Sequence, residues 1–197
     1  MRLLLALGNP GAKYRDTRHN IGWWLADRLA LRWGAEPFRP HGATVGATAW
    51  TTGSGRPGVE IHKPLTYMNR SGEALAALLA ARPAAPRLDP AADILVLVDD
   101  VALPAGRFRV RKRGSPGGHN GLASISASLD SDDYGRLRLG VGRPPDDRID
   151  LAAWVLSRMS RAEEEEALGA FPRAAEAVEY WLDHGVEAAM NRFNRPG

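Results

Sequence analysis

Five polar side chains stand beside residues that fix turns, at widely separated points of the chain. They are Asn9 in Gly8-Asn9-Pro10-Gly11, His19 before Asn20, Asn69 after Met68, Asp99, and Asn120 in Gly118-His119-Asn120-Gly121. Turns and element ends are where rigid scaffolds carry their chemistry. A histidine joined to an aspartate makes a general base and its support. His19 falls at the start of a predicted helix, where the helix dipole disfavours imidazolium and a nearby carboxylate favours it. Asp99 follows a central strand, the place where open α/β sheets build their sites. Side-chain amides offer donors and an acceptor without charge, and suit a peptide backbone, a water or a developing oxyanion. Taken singly, each asparagine is also explained by turn chemistry, and Asp99 by an ordinary strand-end carboxylate. The combination is what points to a site. Asp100 is expected to be solvated.

A second signal is basic. Arg107, Arg109 and Arg111 alternate with Phe108 and Val110, and Arg136 and Arg138 alternate with Leu137 and Leu139. Period two puts the arginines on one strand face and the apolar residues on the other. If the two strands are neighbours, the face can grip phosphate backbone. A solvated strand face would use the same pattern to protect a sheet edge.

Other chemistries lack their residues. There is no cysteine among the 197 residues, so thiolate metal sites, disulfides and a cysteine nucleophile are excluded, which fits a cytoplasmic protein. No histidine pair has ligand spacing and there is no H-E-x-x-H, so no metal is expected. Gly114-Ser115-Pro116-Gly117-Gly118 lacks the Lys-Ser/Thr end of a P-loop, and no G-x-S-x-G elbow occurs. His62 reads as packing and His119 as a brace for its Gly-rich loop. His41 and His184 read as exposed. Trp23 is close enough in sequence to His19 to line a site. No apolar run approaches the roughly 18–20 residues of a membrane span.

The elements that must hold these residues follow from periodicity. Residues 2–7 read as a buried strand, and Ile21, Leu25 and Leu29 mark a helix from about Arg18 to Trp33, with Thr17 as N-cap and Gly34 as stop. Strands are expected at 44–52 and 59–62, a helix at 71–81 and a loop at 82–92. Ile94–Val98 is apolar throughout, as in a strand covered on both faces. Strands at 107–111 and 136–142 flank a helix near 121–129. Helices at 150–159 and 161–191 close the chain, the second broken or bent at Pro172. This alternation predicts an α/β chain, a single domain over 1–197 built as a three-layer α/β/α sandwich around a twisted mixed sheet.

The same residues carry a resemblance. Over almost its whole length the chain resembles bacterial peptidyl-tRNA hydrolases. The matching blocks are Leu7–Gly11 with Tyr14, Thr17–Gly22, Lys63–Asn69 with Ser71-Gly72, Asp99-Asp100 with Leu103-Pro104 and Gly106, Gly114-Ser115 with Gly117–Leu122, and Arg138–Pro144. The resemblance implies an enzyme that cleaves the ester between a peptide and the 3′ end of tRNA, recycling tRNA from prematurely released peptidyl-tRNA. It implies that His19 activates water with Asp99 in support. It assigns Asn9, Tyr14, Tyr67, Met68, Asn69 and Asn120 to the substrate or to ordering the site, and Arg109 and Arg138 to the tRNA 5′ phosphate. It implies a monomer that needs no cofactor.

Two departures stand out. Ala102 replaces an acid common in relatives, which removes an expected contact beside the site loop. Trp23-Trp24 is bulkier than the usual pair, which is expected to narrow or reshape the peptide cleft. Two rival functions use the same residues: an RNA-binding relative of the kind that serves in organellar splicing, and an esterase or amidase acting on a small substrate. The intact His19, Asp99 and asparagine set weighs against the first, the basic strands against the second.

Overall fold

The computed structural model describes residues 1–41, 48–52, 56–82 and 88–194. Its strands are β1 (Arg2–Ala6), β2 (Arg39–His41), β3 (Thr48–Thr52), β4 (Val59–Pro64), β5 (Ile94–Asp100), β6 (Phe108–Arg111) and β7 (Gly135–Gly140). Its helices are α1 (Ile21–Arg32), α2 (Ser71–Ala80), α3 (Pro90–Asp93), α4 (Asn120–Leu129), α5 (Leu151–Val155), α6 (Arg161–His184) and α7 (Val186–Phe193).

The strands form one sheet in the order β2-β3-β4-β1-β5-β7-β6. The four central strands run parallel, and antiparallel strands close both edges. Alternate residues of β1 and β5 face opposite layers. Leu4, Ala6, Leu95 and Leu97 pack with Leu25, Leu29, Phe171 and Val178 of α1 and α6. Leu3, Leu5, Val96 and Val98 pack with Leu75, Leu122 and Ile125 of α2 and α4. Each such side chain contributes about 1.5–3 kcal/mol by leaving water, so even a five-residue central strand such as β1 is well anchored. The expected three-layer α/β sandwich around a mixed sheet is the observed architecture.

Several boundaries differ from the sequence reading. α1 begins at Ile21, after a tight 3-10 turn over Arg18–Asn20. Thr17 does not cap it; its hydroxyl donates to the Tyr14 carbonyl at 2.8 Å. The expected strand 44–52 is described from Thr48 on, and 44–47 lies outside the described residues, as do 83–87 of the expected 82–92 loop. That loop ends in the short helix α3, capped by Asp89. α6 runs unbroken through Pro172 and stops at Gly185, whose φ of 82° suits glycine. Pro172 is exposed while Phe171, Ala174 and Ala175 bury the other side. Core packing therefore outweighs the one backbone bond that proline removes.

One close approach sets the site. A Cβ on Gly22 would meet the Leu97 carbonyl at 2.5 Å and the Leu7 carbonyl at 2.8 Å. Only glycine lets the first turn of α1 rest on the ends of β1 and β5. That contact carries the preceding His19 to the tip of β5.

Candidate active site

His19 and Asp99, 80 residues apart, meet at 2.8 Å between Nδ1 and Oδ1. A third group joins them: His119 Nε2 lies 2.9 Å from the same oxygen. The side chains are 9 %, 1 % and 8 % exposed for His19, Asp99 and His119, so the triad is nearly dry.

The hydrogen bonds fix the tautomers. His119 is the N-cap of α4, and its Nδ1 accepts from the backbone N–H groups of Gly121 and Leu122 at 3.1 and 3.2 Å. Its proton is therefore on Nε2 and is donated to Asp99. An ionised carboxylate only accepts, so His19 donates from Nδ1 and keeps the Nε2 lone pair free. Burial pushes the Asp99 carboxyl up. Electrostatic attraction to the His19 and His119 rings, with the hydrogen bonds from both, outweighs this and holds it well below the usual carboxylate range. The sequence reading of His119 as a loop brace thus covers only half its contacts. The three ligand atoms lie within 4.8 Å of one another, a proximity that spacing did not disclose. Each imidazole nitrogen facing Asp99 is already spent on a hydrogen bond there, which a chelated cation would have to break.

His19, Asp99, His119, Asn120 and Arg138 line one cleft of about 150 Å³, together with Leu151, Ala152 and Val155 of α5. Asn9 lies next door. Its backbone N–H donates to Asn20 Oδ1 at 2.9 Å, and Asn20 Nδ2 donates back to its carbonyl at 3.0 Å. Asn9 Oδ1 accepts from the Met68 N–H at 2.8 Å, which leaves its NH₂ as the group not committed to that bond. Met68 in turn touches the start of α4: a Cβ on Gly121 would lie 2.5 Å from its sulfur. Tyr14 and Tyr67 meet edge to face with centroids 6.3 Å apart, and Tyr67 is largely exposed. Asn69 is exposed in the turn after Met68, outside the cleft lining.

The arginines separate. β6 and β7 pair with Arg109 opposite Arg138 and Arg111 opposite Arg136, so the expected common face exists. But Arg136 is buried at 1 % and binds the carbonyls of Gly114, Ser115 and Asp132, pinning the Gly-rich loop. Arg138 is matched by Asp100 at 2.8 Å. Asp100 is buried, not solvated, and also accepts from the Ala102 N–H at 2.9 Å. This carboxylate steadies the turn in which Ala102 stands. Arg109 stays exposed and lies outside the cleft.

Neither tryptophan is in the cleft lining. Trp23 covers Gly8 and donates to the Ala6 carbonyl, while Trp24 donates to Arg15. His62 is buried and bonded to Glu60, and His184 is exposed. The His41 side chain lies outside the described residues.

Sequence reasoning also missed Arg18. Its guanidinium binds both Glu163 oxygens at 2.9 and 2.7 Å and Ser157 Oγ at 2.7 Å, and it stacks on Trp154 at 3.6 Å. It therefore ties the residue next to His19 to the segment carrying α5. An Arg within a motif signals a site, but its partners some 140 residues on could not be foreseen.

Residues 3–197 match the sequence profile of the peptidyl-tRNA hydrolase family. The chain belongs to the peptidyl-tRNA hydrolase family. It is 45 % identical over 200 residues to the peptidyl-tRNA hydrolase of Gemmatimonas aurantiaca, covering 99 % of this chain and 100 % of that one. To that of Symbiobacterium thermophilum it is 43 % identical over 194 residues, covering 98 % of each. The fold superposes on the Acinetobacter baumannii peptidyl-tRNA hydrolase with a TM-score of 0.83 at 31 % identity, covering 98 % of this chain and 94 % of that one. A peptidyl-tRNA hydrolase solved with n-propanol gives 0.84 at 30 % identity, covering 100 % and 97 %. Like the members of this family, the protein is an enzyme, a hydrolase. Among the described residues no helix is long and apolar enough to cross a membrane.

Proposed function

We infer that the protein hydrolyses the ester between a peptide and the 3′ end of tRNA, as a monomer in the cytoplasm and without a cofactor. The observation that carries this reading is the buried 2.8 Å contact from His19 Nδ1 to Asp99, which leaves His19 Nε2 as a free base facing the cleft residues. In this mechanism water attacks the ester carbonyl and gives its proton to Nε2. Asp99 stabilises the imidazolium that forms. The tetrahedral intermediate then collapses. The bond to the ribose 3′ oxygen breaks, and that oxygen takes the proton from His19. An ester leaves readily, so no covalent enzyme intermediate is required.

In this reading Asn120, in the cleft lining, and the NH₂ of Asn9, whose Oδ1 is taken up by Met68, hold the peptide part or the oxyanion. In this reading Tyr14, Tyr67 and Asn69, backed by the buried Met68, take the neighbouring peptide side. Arg109 and Arg138 contact the tRNA 5′ phosphate in this reading, Arg109 more strongly because Asp100 already neutralises Arg138. Such contacts do not read sequence, so many tRNAs are accepted.

The test is ester loss from N-acetyl-aminoacyl-tRNA and from free aminoacyl-tRNA. Turnover of the blocked form with sparing of the free form is expected. Tight tRNA binding with no turnover of either would overturn the reading in favour of an RNA-binding role.

A further inference from the structure

Most basic side chains among the described residues are already matched by a carboxylate, as in Arg2–Asp93, Arg56–Asp183 and Arg158–Asp16. Among the exceptions, one group lies together at an edge of the sheet. Arg107, Arg109, Arg111 and Arg113 have no acidic partner among the described residues, and in that stretch only Lys112 is paired, with Glu187. Arg173, on α6, is likewise exposed and unpaired among them.

Two of these arginines and Arg173 share an open groove of about 830 Å³ between the start of β6 and α6. Its lining includes Arg107, Phe108, Arg109, Glu166, Arg173 and Asn194. Three cations face one acid. The groove also offers backbone. Asn194 closes the outer edge of β6 at Val110, accepting from its N–H at 2.8 Å and donating to its carbonyl at 2.9 Å. The odd-numbered residues bond to β7, as Gly140 N–H does to the Arg107 carbonyl. By the alternation of an antiparallel ladder, the Phe108 N–H also points outward, two residues from Asn194's cap.

The groove and the catalytic cleft are neighbours across one strand pair. Arg138 lines the cleft and Arg109 lines the groove, and these two residues are directly opposite on adjacent strands. Neighbouring strands lie about 4.7–4.9 Å apart.

We propose that this groove is a second phosphate-binding surface, in which Arg107 and Arg173 hold the ribose-phosphate backbone of the RNA beyond its 3′ end. It rests on the hydrolase reading above. RNA is the occupant because the unpaired cations, an outward N–H and adjacency to the cleft suit a polyanion whose 3′ end lies at His19. The consequence is that Arg173, remote in sequence from every motif, sets affinity for long substrates alone.

The test compares the unaltered protein with Arg107→Gln, Arg173→Gln, the double variant, and Arg28→Gln as an exposed control on α1. Two substrates are used: full-length N-acetyl-aminoacyl-tRNA and the same ester on the trinucleotide CCA. The slope of log binding constant for tRNA against log salt should fall by about one for each groove arginine removed. KM should rise for full-length substrate while turnover of the CCA ester is unchanged, and Arg28→Gln should match the unaltered protein. An unchanged salt slope, equal losses on both substrates, or the same loss from Arg28→Gln would overturn the proposal. If the unaltered protein cleaved neither substrate, the hydrolase reading itself would fail, and the binding slopes would still decide the groove.

Discussion

His119 and Asp99 are joined by a 2.9 Å hydrogen bond whose donor nitrogen is fixed by the other side of the same ring, which caps α4. The start of α4 therefore orients the carboxylate that orients His19. His119→Asn keeps an N-cap but cannot span to Asp99 as an imidazole does. It should retain nearly full thermal stability and lose turnover. His119→Ala should lose turnover and also about 0.5–2 kcal/mol of stability through the missing cap. Paired melting and turnover measurements check this; an Asn variant with unchanged turnover would contradict it.

The ionised state of Asp99 also makes stability pH-dependent. Its folded pKa is lowered, so its stabilising contribution is present above the unfolded value and is lost as pH falls through the folded one. An unfolded aspartate titrates near 3.9, so the loss should begin below about pH 5. Denaturant melts of the unaltered protein and Asp99→Asn should show a stability gap that narrows as acid is added. Parallel curves would contradict the assignment.

Arg18 and Glu163 form an ion pair whose arginine side chain is only 3 % exposed. Glu163→Gln leaves that charge without its carboxylate. Breaking a buried pair from one side typically costs about 3–5 kcal/mol. A value toward the low end is expected here, because Glu163 is 30 % exposed and Ser157 remains a partner. A chemical-denaturation series measures it; no change would mean that the pair does not hold α5 in place.

Asp100 restrains Arg138, and Asp100→Asn should release it while keeping an acceptor for the Ala102 N–H. tRNA affinity and its salt slope should rise, the slope by up to about one. Arg109→Ala should flatten the slope more than Arg138→Ala does. The reverse order would place the phosphate on Arg138.

Local pattern made the layers legible. The unbroken apolar run Ile94–Val98 became the fully buried β5, and the alternation around Arg109 became an edge strand with Val110 inward. The site was legible as a set of residue types, since His19 and Asp99 do meet. What escaped depends on partners distant in sequence. Nothing near Arg136 shows that it folds under the Gly114–Ser115 loop, and nothing near Asp100 shows that it faces Arg138. His119 has a local role as a cap and a distant one at Asp99, and only the local one can be read from its neighbours. A break at Pro172 does not occur because a helix-breaking propensity is local, whereas the continuity of α6 is set by the core it covers.

The central claim is that His19 is the base. Single-turnover hydrolysis of N-acetyl-aminoacyl-tRNA by His19→Ala, with tRNA binding measured on the same preparation, tests it most directly. The account predicts bound tRNA at close to unaltered affinity and ester cleavage reduced by at least about 10²-fold. A variant that binds tRNA and still cleaves the ester at close to the original rate would contradict it.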